Sequence, residues 1–496
     1  MTTSAKTSHP IGLYTLFFTE MWERFSYYGM RALLVLYLTA ELVKNGFGMN
    51  RVDAFAIYGI FTGLVYVTPI FGGFLADKVL GQRKAIYIGA LIMAFGQFTM
   101  AYSVIAEETL RIFVLHSGLA ILIIGNGFFK PNISAIVGGL YDADDPRKDG
   151  GFTIFYMGIN LGAFIAPLTA GALGEIYGWQ YGFATAGVGM LLSAIWFFAR
   201  RHTLSDVGLP PNHKSHQNVL SPKDWIDIFV YTVISIALSV GVVYLLDALT
   251  DVVVNTAIYV IAIGSGLGLT YTIYKGTTGK LEWNRVIVIF ILAIFNIVFW
   301  SGFEQAGSTF NLFAKQNTDR MVFGWEIPAS WFQSINAIAI FTIAPIFDVV
   351  WRKLSSMGKN PPTPLKFGLA LVMLSAGFFV MASAAMASEG GVLVSSMWLV
   401  AVYLLHTLGE LMISPIGLSM ITKLSPPKLV SIMMGLWMGS IAIGNYLAAA
   451  MEKIADYWGF TEGAPMFRFI AFEALIAGII AVLIYPILKK LMGGIH

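Results

Sequence analysis

Apolar runs near 20 residues recur along this 496-residue chain from one end to the other, and no other feature narrows its possible folds as much. A run of that length crosses the ~30 Å hydrocarbon of a bilayer as a helix, because a helix rises about 1.5 Å per residue. No water satisfies backbone N–H and C=O groups there, so a spanning segment must be a helix or part of a closed barrel. These runs are continuously apolar and too long for the alternating ten-residue strands of a barrel. The composition agrees: 57% hydrophobic, 12% charged, mean hydropathy +0.73, against about 25% charged residues in a soluble domain. The expectation is an all-α polytopic membrane protein. Hydropathy predicts fourteen transmembrane helices at roughly 12–43, 52–79, 84–105, 110–140, 151–173, 180–200, 225–247, 251–275, 285–313, 327–354, 366–387, 396–422, 429–455 and 466–490.

An even number of crossings puts both termini on one side, and Lys and Arg choose which. With the N-terminus inside, the cytoplasmic segments hold 21 Lys and Arg and the outer segments hold 7. The positive-inside rule then predicts cytoplasmic termini, in a cell (inner) membrane protein. The polar stretch 1–10 leads into a helix carrying Glu20 and Glu23, so a cleaved signal peptide is not expected. Cys is absent, which excludes disulfides and thiolate metal sites.

An internal repeat divides the chain. Pro69-Ile70-Phe71 is echoed by Pro345-Ile346-Phe347, Gly125 with Pro131 by Gly409 with Pro415, and Tyr156-Met157-Gly158 by Trp437-Met438-Gly439. All three pairs lie in order at nearly one offset. That offset exceeds six helices by about one hairpin, which the pair at roughly 225–275 supplies. The predicted organisation is an N-terminal six-helix bundle over 1–200, a linker with two extra helices over 201–280, and a C-terminal six-helix bundle over 281–496. Two repeats of like orientation are the plan of a two-lobed transporter with its site at the lobe interface. The hairpin has few deep polar residues, Asp247 and Asp251 lying at its outer turn, and reads as peripheral.

The first predicted helix breaks the apolar pattern. At 100° per residue, Glu20, Glu23, Arg24, Tyr27 and Arg31 share an arc of roughly 100°. A charge at mid-bilayer costs about 2.5–3.5 kcal/mol on the mildest scale, so such residues face a bundle interior or a watery cavity. The other deep ionisable groups are Lys130, Glu304 and Glu410. Buried pairs stabilise poorly compared with packed apolar residues, so stability alone is a poor reason to keep so many.

Four segments carry a resemblance. Gly72-Gly73-Phe74-Leu75-Ala76-Asp77-Lys78-Val79-Leu80-Gly81-Gln82-Arg83-Lys84 joins the second and third helices and resembles the loop signature of the major facilitator superfamily. Its glycines permit close helix approach, and Asp77 and Arg83 can pair across a gate. Glu20-Met21-Trp22-Glu23-Arg24-Phe25-Ser26-Tyr27-Tyr28-Gly29 resembles the helix-1 motif of the proton-coupled oligopeptide transporter family, bacterial type. Phe155-Tyr156-Met157-Gly158-Ile159-Asn160-Leu161-Gly162 resembles that family's helix-5 signature, and Gly125-Asn126-Gly127-Phe128-Phe129-Lys130-Pro131-Asn132 fits it as well.

The resemblance implies a major facilitator fold and proton-coupled import of di- and tripeptides by alternating access. It also implies that Arg31–Glu304 and Lys130–Glu410 form and break as the lobes rock, and that Asn160 and Asn336 contact peptide. If both lobes face one cavity, its charges suit a zwitterion. The carboxylate would go toward Arg24, Arg31 and Lys130, and the ammonium toward Glu410. Arg adds bidentate carboxylate recognition that Lys lacks. Tyr27, Tyr28, Tyr66, Tyr156, Trp300 and Trp437 would form aromatic walls that accept varied side chains.

Glu20 and Glu23, two close carboxylates beside Arg24, with Lys130 as the other cation of this proton-coupling set, suit a shared proton released from restraint by substrate; which of the two holds it is left open. One proton entering at 100 mV is worth about 2.3 kcal/mol, roughly fiftyfold accumulation. His406 and His116 read as packing residues. No cofactor is expected beyond the coupling proton. The same holds for a metal site, for nucleic acid, and for a partner other than peptide, protons and the bilayer; a monomer suffices. A carrier of another small anion or zwitterion, and a membrane enzyme using Glu20 and Glu23 as acid and base, are the alternatives, the second lacking any nucleophile or metal constellation.

Overall fold

In a computed structural model of the protein, the described residues are 8–142, 145, 147–209, 221–248 and 266–494. Most of the described residues are helical. The helices relevant here are α1 (Ile11–Thr39), α2 (Arg51–Leu75), α3 (Gln82–Ile105), α4 (Glu108–Gly139), α5 (Lys148–Ala166) and α6 (Trp179–Arg200). They are followed by α7 (Pro222–Ala248), α8 (Gly279–Phe303), α9 (Ser334–Ser356), α10 (Thr363–Ala387), α11 (Met397–Leu424), α12 (Val430–Tyr457) and α13 (Ala464–Leu491). Among the described residues, twelve helical segments are long and apolar enough to cross a membrane. To these α1 adds 29 residues, enough to span at 1.5 Å each despite its four charges. Of the second hairpin helix expected at 251–275, only 266–276 is described, and it is helical; Asp251, the Asp247 side chain, Lys6 and Lys214 lie outside the described residues.

The chain divides into two compact units, Met1–Gly48 with Val67–Tyr244 and Met49–Tyr66 with Leu245–His496. In the first, α3 packs along α4, and α1 runs between α5 and α6. Lipid is as apolar as Leu, so what holds such helices together is close packing and interhelical hydrogen bonds, each worth about 0.6 kcal/mol on average. Both are present around α1. Gln97 on α3 donates to the Ser26 carbonyl and hydroxyl, each at 3.1 Å. Ser193 and Trp196 on α6 donate to the Thr19 and Thr15 carbonyls at 2.7 and 3.2 Å. Against α5, a Cβ at Gly162 would collide with the Met21 carbonyl oxygen and lie 2.9 Å from the Arg24 Cβ. Only glycine lets α5 approach at the level of the charged cluster.

α5 does not stop at Ala166. Pro167 lacks the N–H a helix needs, and the chain continues through a π-helical turn, Pro167–Gly171, into Ala172–Tyr177. α7, the first leg of the inserted hairpin, docks on α3. The buried Lys84 Nζ lies 2.8 Å from Asp224 Oδ1 and 3.0 Å from Asp227 Oδ2. Trp225 packs its ring on Tyr87 and Phe198 at 5.2 and 5.4 Å.

In the second unit, α10 packs between α13 and α11, and α8 lies along α12. The first half of α2 belongs here. A Cβ at Gly59 would collide with Ala449 on α12, and Asn445 donates to the Thr62 carbonyl at 3.4 Å. Between α8 and α9, Met321–Val322 pairs antiparallel with Trp325–Glu326, and Thr318–Asp319 pairs parallel with Val394–Ser395 from the α10–α11 connection.

Candidate functional site

The first polar cluster is built on α1. Glu20, Glu23, Arg24 and Arg31 are all buried, as the stripe on this helix predicts. Arg24 lies between the two carboxylates. Its Nη2 donates to Glu23 Oε1 at 2.6 Å and its Nε to Glu23 Oε2, a bidentate pair, while the Glu20 Oε1 is 3.3 Å from Nε. Asn126 on α4 adds a third donor to Glu23, Nδ2 to Oε1 at 3.4 Å. Glu20 is treated differently. Its Oε2 is buried and meets no donor among the described residues. A buried carboxylate oxygen without a donor carries its full desolvation cost, about 1–3 kcal/mol or more. Lys130, half-buried on α4, adds positive potential at Glu20.

Aromatic rings frame these cations. The Arg24 guanidinium sits 5.0 Å from the Tyr27 ring centroid and Arg31 sits 5.6 Å from that of Tyr28, with the two rings edge to face at 5.2 Å. Asn160 on α5 is buried and donates to the Tyr156 carbonyl one turn back at 3.0 Å, while the Tyr156 ring is exposed. Two residues on from Asn160 is Gly162, the residue that lets α5 close on Arg24.

The second cluster lies in the other unit. Glu304 is buried at the start of the turn Glu304–Gly307 that ends α8, and the Tyr58 hydroxyl donates to its Oε2 at 3.4 Å. Asn336 on α9 donates to Glu410 Oε2 at 2.8 Å and to Thr407 Oγ1 at 3.0 Å, both on α11. Trp300 on α8 is half-buried and donates its indole N–H to Asn296 Oδ1 at 3.1 Å; Asn296 Nδ2 donates to Ser440 Oγ on α12 at 2.8 Å. Trp437 is 2% exposed and packs its ring against Phe367. Tyr66 is half-buried.

The loop motif is deployed otherwise than a gate pair would require. Asp77 is exposed, while the buried Arg83 guanidinium donates to the Val207 and Ser205 carbonyls at 2.7 and 2.5 Å. The next cation, Lys84, anchors α7. His406 is a packing residue: its ring lies 5.0 Å from that of Phe378 and 5.6 Å from that of Phe310, with Nε2 3.2 Å from the Leu374 carbonyl oxygen.

Asn126, Tyr58, Asn296, Thr407 and Ser440 join these clusters without having been singled out from the sequence. Asn126 and Asn296 carried a readable signal, an amide in the middle of an apolar run. The other three needed their partner helices in place.

Comparison with known proteins places these clusters in context. The sequence profile of the POT family (PTR2) matches residues 83–464. The chain is 41% identical over 450 residues to the peptide transporter YePEPT of Yersinia enterocolitica, covering 89% of this chain and 87% of that one. It is 34% identical over 503 residues to a di-/tripeptide transporter of Lactococcus lactis subsp. cremoris, covering 98% and 97%. A solved mutant of the peptide transporter POT in complex with alafosfalin superposes with a TM-score of 0.81 at 36% identity, covering 99% of this chain and 97% of that one.

Proposed function

The chain belongs to the POT family, and from that premise we propose that it is a proton-coupled symporter importing di- and tripeptides by alternating access of two six-helix bundles, 1–200 and 281–496, joined by the inserted pair over 201–280. Its fold is that of the major facilitator superfamily. The named relatives are peptide and di-/tripeptide transporters over most of their lengths, which supports the substrate class. The excess of Lys and Arg on one side supports cytoplasmic termini in the inner membrane.

The observation that carries the proton reading is the unequal treatment of two carboxylates on one helix. Glu23 receives three hydrogen bonds, two from Arg24 and one from Asn126. Glu20 shares one oxygen with Arg24 and leaves the other without a donor, so a proton arriving there meets an unsatisfied acceptor. Glu20 is therefore the coupling carboxylate. Peptide carboxylate goes to Arg24, Arg31 and Lys130, and loosens the Arg24 hold on Glu20. The peptide amino terminus goes to Glu410, presented by Asn336, with Asn160 taking backbone groups and Tyr27, Tyr28, Tyr66, Trp300 and Trp437 shaping the space for side chains. On the family resemblance, Arg31 with Glu304 and Lys130 with Glu410 are the pairs that form and break, and one copy of the chain suffices.

Labelled dialanine uptake into proteoliposomes, with the inside negative and the outside acid, tests the proposal. Accumulation that a protonophore abolishes supports it; accumulation indifferent to the protonophore, or none at all, overturns it.

A further inference from the structure

The bundle containing α8 and α12 holds a polar chain that the transport reading leaves unused. Asn296 is 1% exposed and lies one turn before Trp300 on α8, so its amide reaches the indole N–H along the helix. That leaves the Nδ2 group to be satisfied across the helix interface, and the 3%-exposed Ser440 supplies the acceptor at 2.8 Å. Ser440 in turn donates to the Trp437 carbonyl at 2.6 Å, so its hydroxyl is committed as both donor and acceptor. The chain is satisfied at each of these contacts and runs through buried groups until it reaches Trp300, whose ring is only half-buried. Phe299 and Phe303 meet that ring edge to face at 5.8 and 5.2 Å, leaving the indole N–H as its one polar tether.

We propose that Asn296 is a positioning residue for peptide recognition, whose amide, braced by Ser440, fixes the orientation of the Trp300 indole and so sets how large a side chain the transporter accepts. This rests on the reading of Trp300 as part of the peptide site. An amide held at both ends has one orientation, and an indole hydrogen-bonded to it has one rotamer. Without the tether the ring can turn about its side-chain bonds, and the space beside it becomes adjustable. Aromatic walls recognise by shape, so a mobile ring discriminates less by size.

The test compares uptake of dialanine and of diphenylalanine by proteoliposomes containing the wild type, Asn296→Leu, Trp300→Phe and the double variant. Trp300→Phe removes the N–H while keeping a ring. The expected result is that Asn296→Leu changes the ratio of the two KM values by about threefold, the factor that corresponds to the ~0.6 kcal/mol of an interhelical hydrogen bond. The change falls on KM more than on turnover, and Asn296→Leu adds nothing further in the Trp300→Phe background. An unchanged ratio in Asn296→Leu beside a changed one in Trp300→Phe overturns the positioning role and leaves the peptide site standing. An unchanged ratio in both removes Trp300 from the site and the proposal with it. Should Asn296→Leu fail to fold, Ser440→Ala cuts the same chain one link further on, and it is read by the same ratio and the same two outcomes.

Discussion

Arg24 grips Glu23 with two parallel hydrogen bonds but touches Glu20 through a single oxygen, although both carboxylates lie within one turn of it on α1. Three charges on one turn thus divide into a closed ion pair and a carboxylate that is half-satisfied.

The division predicts unequal costs. Glu23→Gln leaves a buried guanidinium without its bidentate partner, and breaking a buried pair costs about 3–5 kcal/mol. Glu20→Gln removes a charge whose second oxygen had no donor and costs little. Thermal unfolding in detergent should show Glu23→Gln lowering Tm clearly more than Glu20→Gln. Equal losses would mean that both carboxylates serve one structural pair.

The contact of α5 with α1 predicts intolerance at Gly162. Gly162→Val pushes side-chain atoms into the Met21 carbonyl and the Arg24 Cβ, and overpacking costs about 1–3 kcal/mol. Because the strain falls beside Arg24, peptide affinity should drop along with Tm. A variant with normal Tm and normal peptide KM would show that the helices separate at no cost.

Lys84 predicts a rescue. Lys84→Met leaves Asp224 and Asp227 facing an apolar stem, and Tm should fall. Adding Asp224→Asn and Asp227→Asn should recover at least half of the loss, because the unpaired charges and not the missing cation are the larger penalty. No recovery in the triple variant would mean that the hairpin is held by Trp225 and its ring contacts alone.

In the loop between α4 and α5 the Asp145 carboxyl is pulled down to about 2, first by side-chain and backbone hydrogen bonds from Arg147. A depressed carboxylate contributes stability above its unfolded value, near 4, and loses that contribution as pH falls toward about 2. Asp145 thus keeps one charge between pH 5 and 8. Asp145→Asn should leave the shape of the uptake profile over that range unaltered; a shifted profile would place part of the pH dependence in this loop.

Much of this was legible in the sequence. Helix positions follow from apolar length, since a bilayer permits little else, and most expected bounds fall within several residues of the observed ones; the helix expected to reach 313 ends at Phe303, where the turn Glu304–Gly307 breaks it, and most of the one expected at 251–275 lies outside the described residues. The α1 stripe was legible because 3.6-residue periodicity fixes which side chains share a face. Partners brought by other helices were not. That Asn126 serves Glu23, that Asn296 ties Trp300 to Ser440, and that Lys84 anchors Asp224 depend on contacts 103, 144 and 140 residues apart in sequence, or on which way an amide turns. Arg83 illustrates the same limit: its motif suggested a partner in Asp77, and the carbonyls of Ser205 and Val207 supplied one instead.

The most direct measurement compares two transport modes of Glu20→Gln in proteoliposomes: accumulation of dialanine driven by an imposed proton gradient, and counterflow exchange with peptide on both sides and no gradient. A neutral amide cannot carry the proton but leaves the Glu23–Arg24 pair and the peptide groups in place, so gradient-driven accumulation should vanish while exchange continues. Accumulation persisting at the wild-type level, or loss of both modes together, would contradict the assignment of the coupling proton to Glu20.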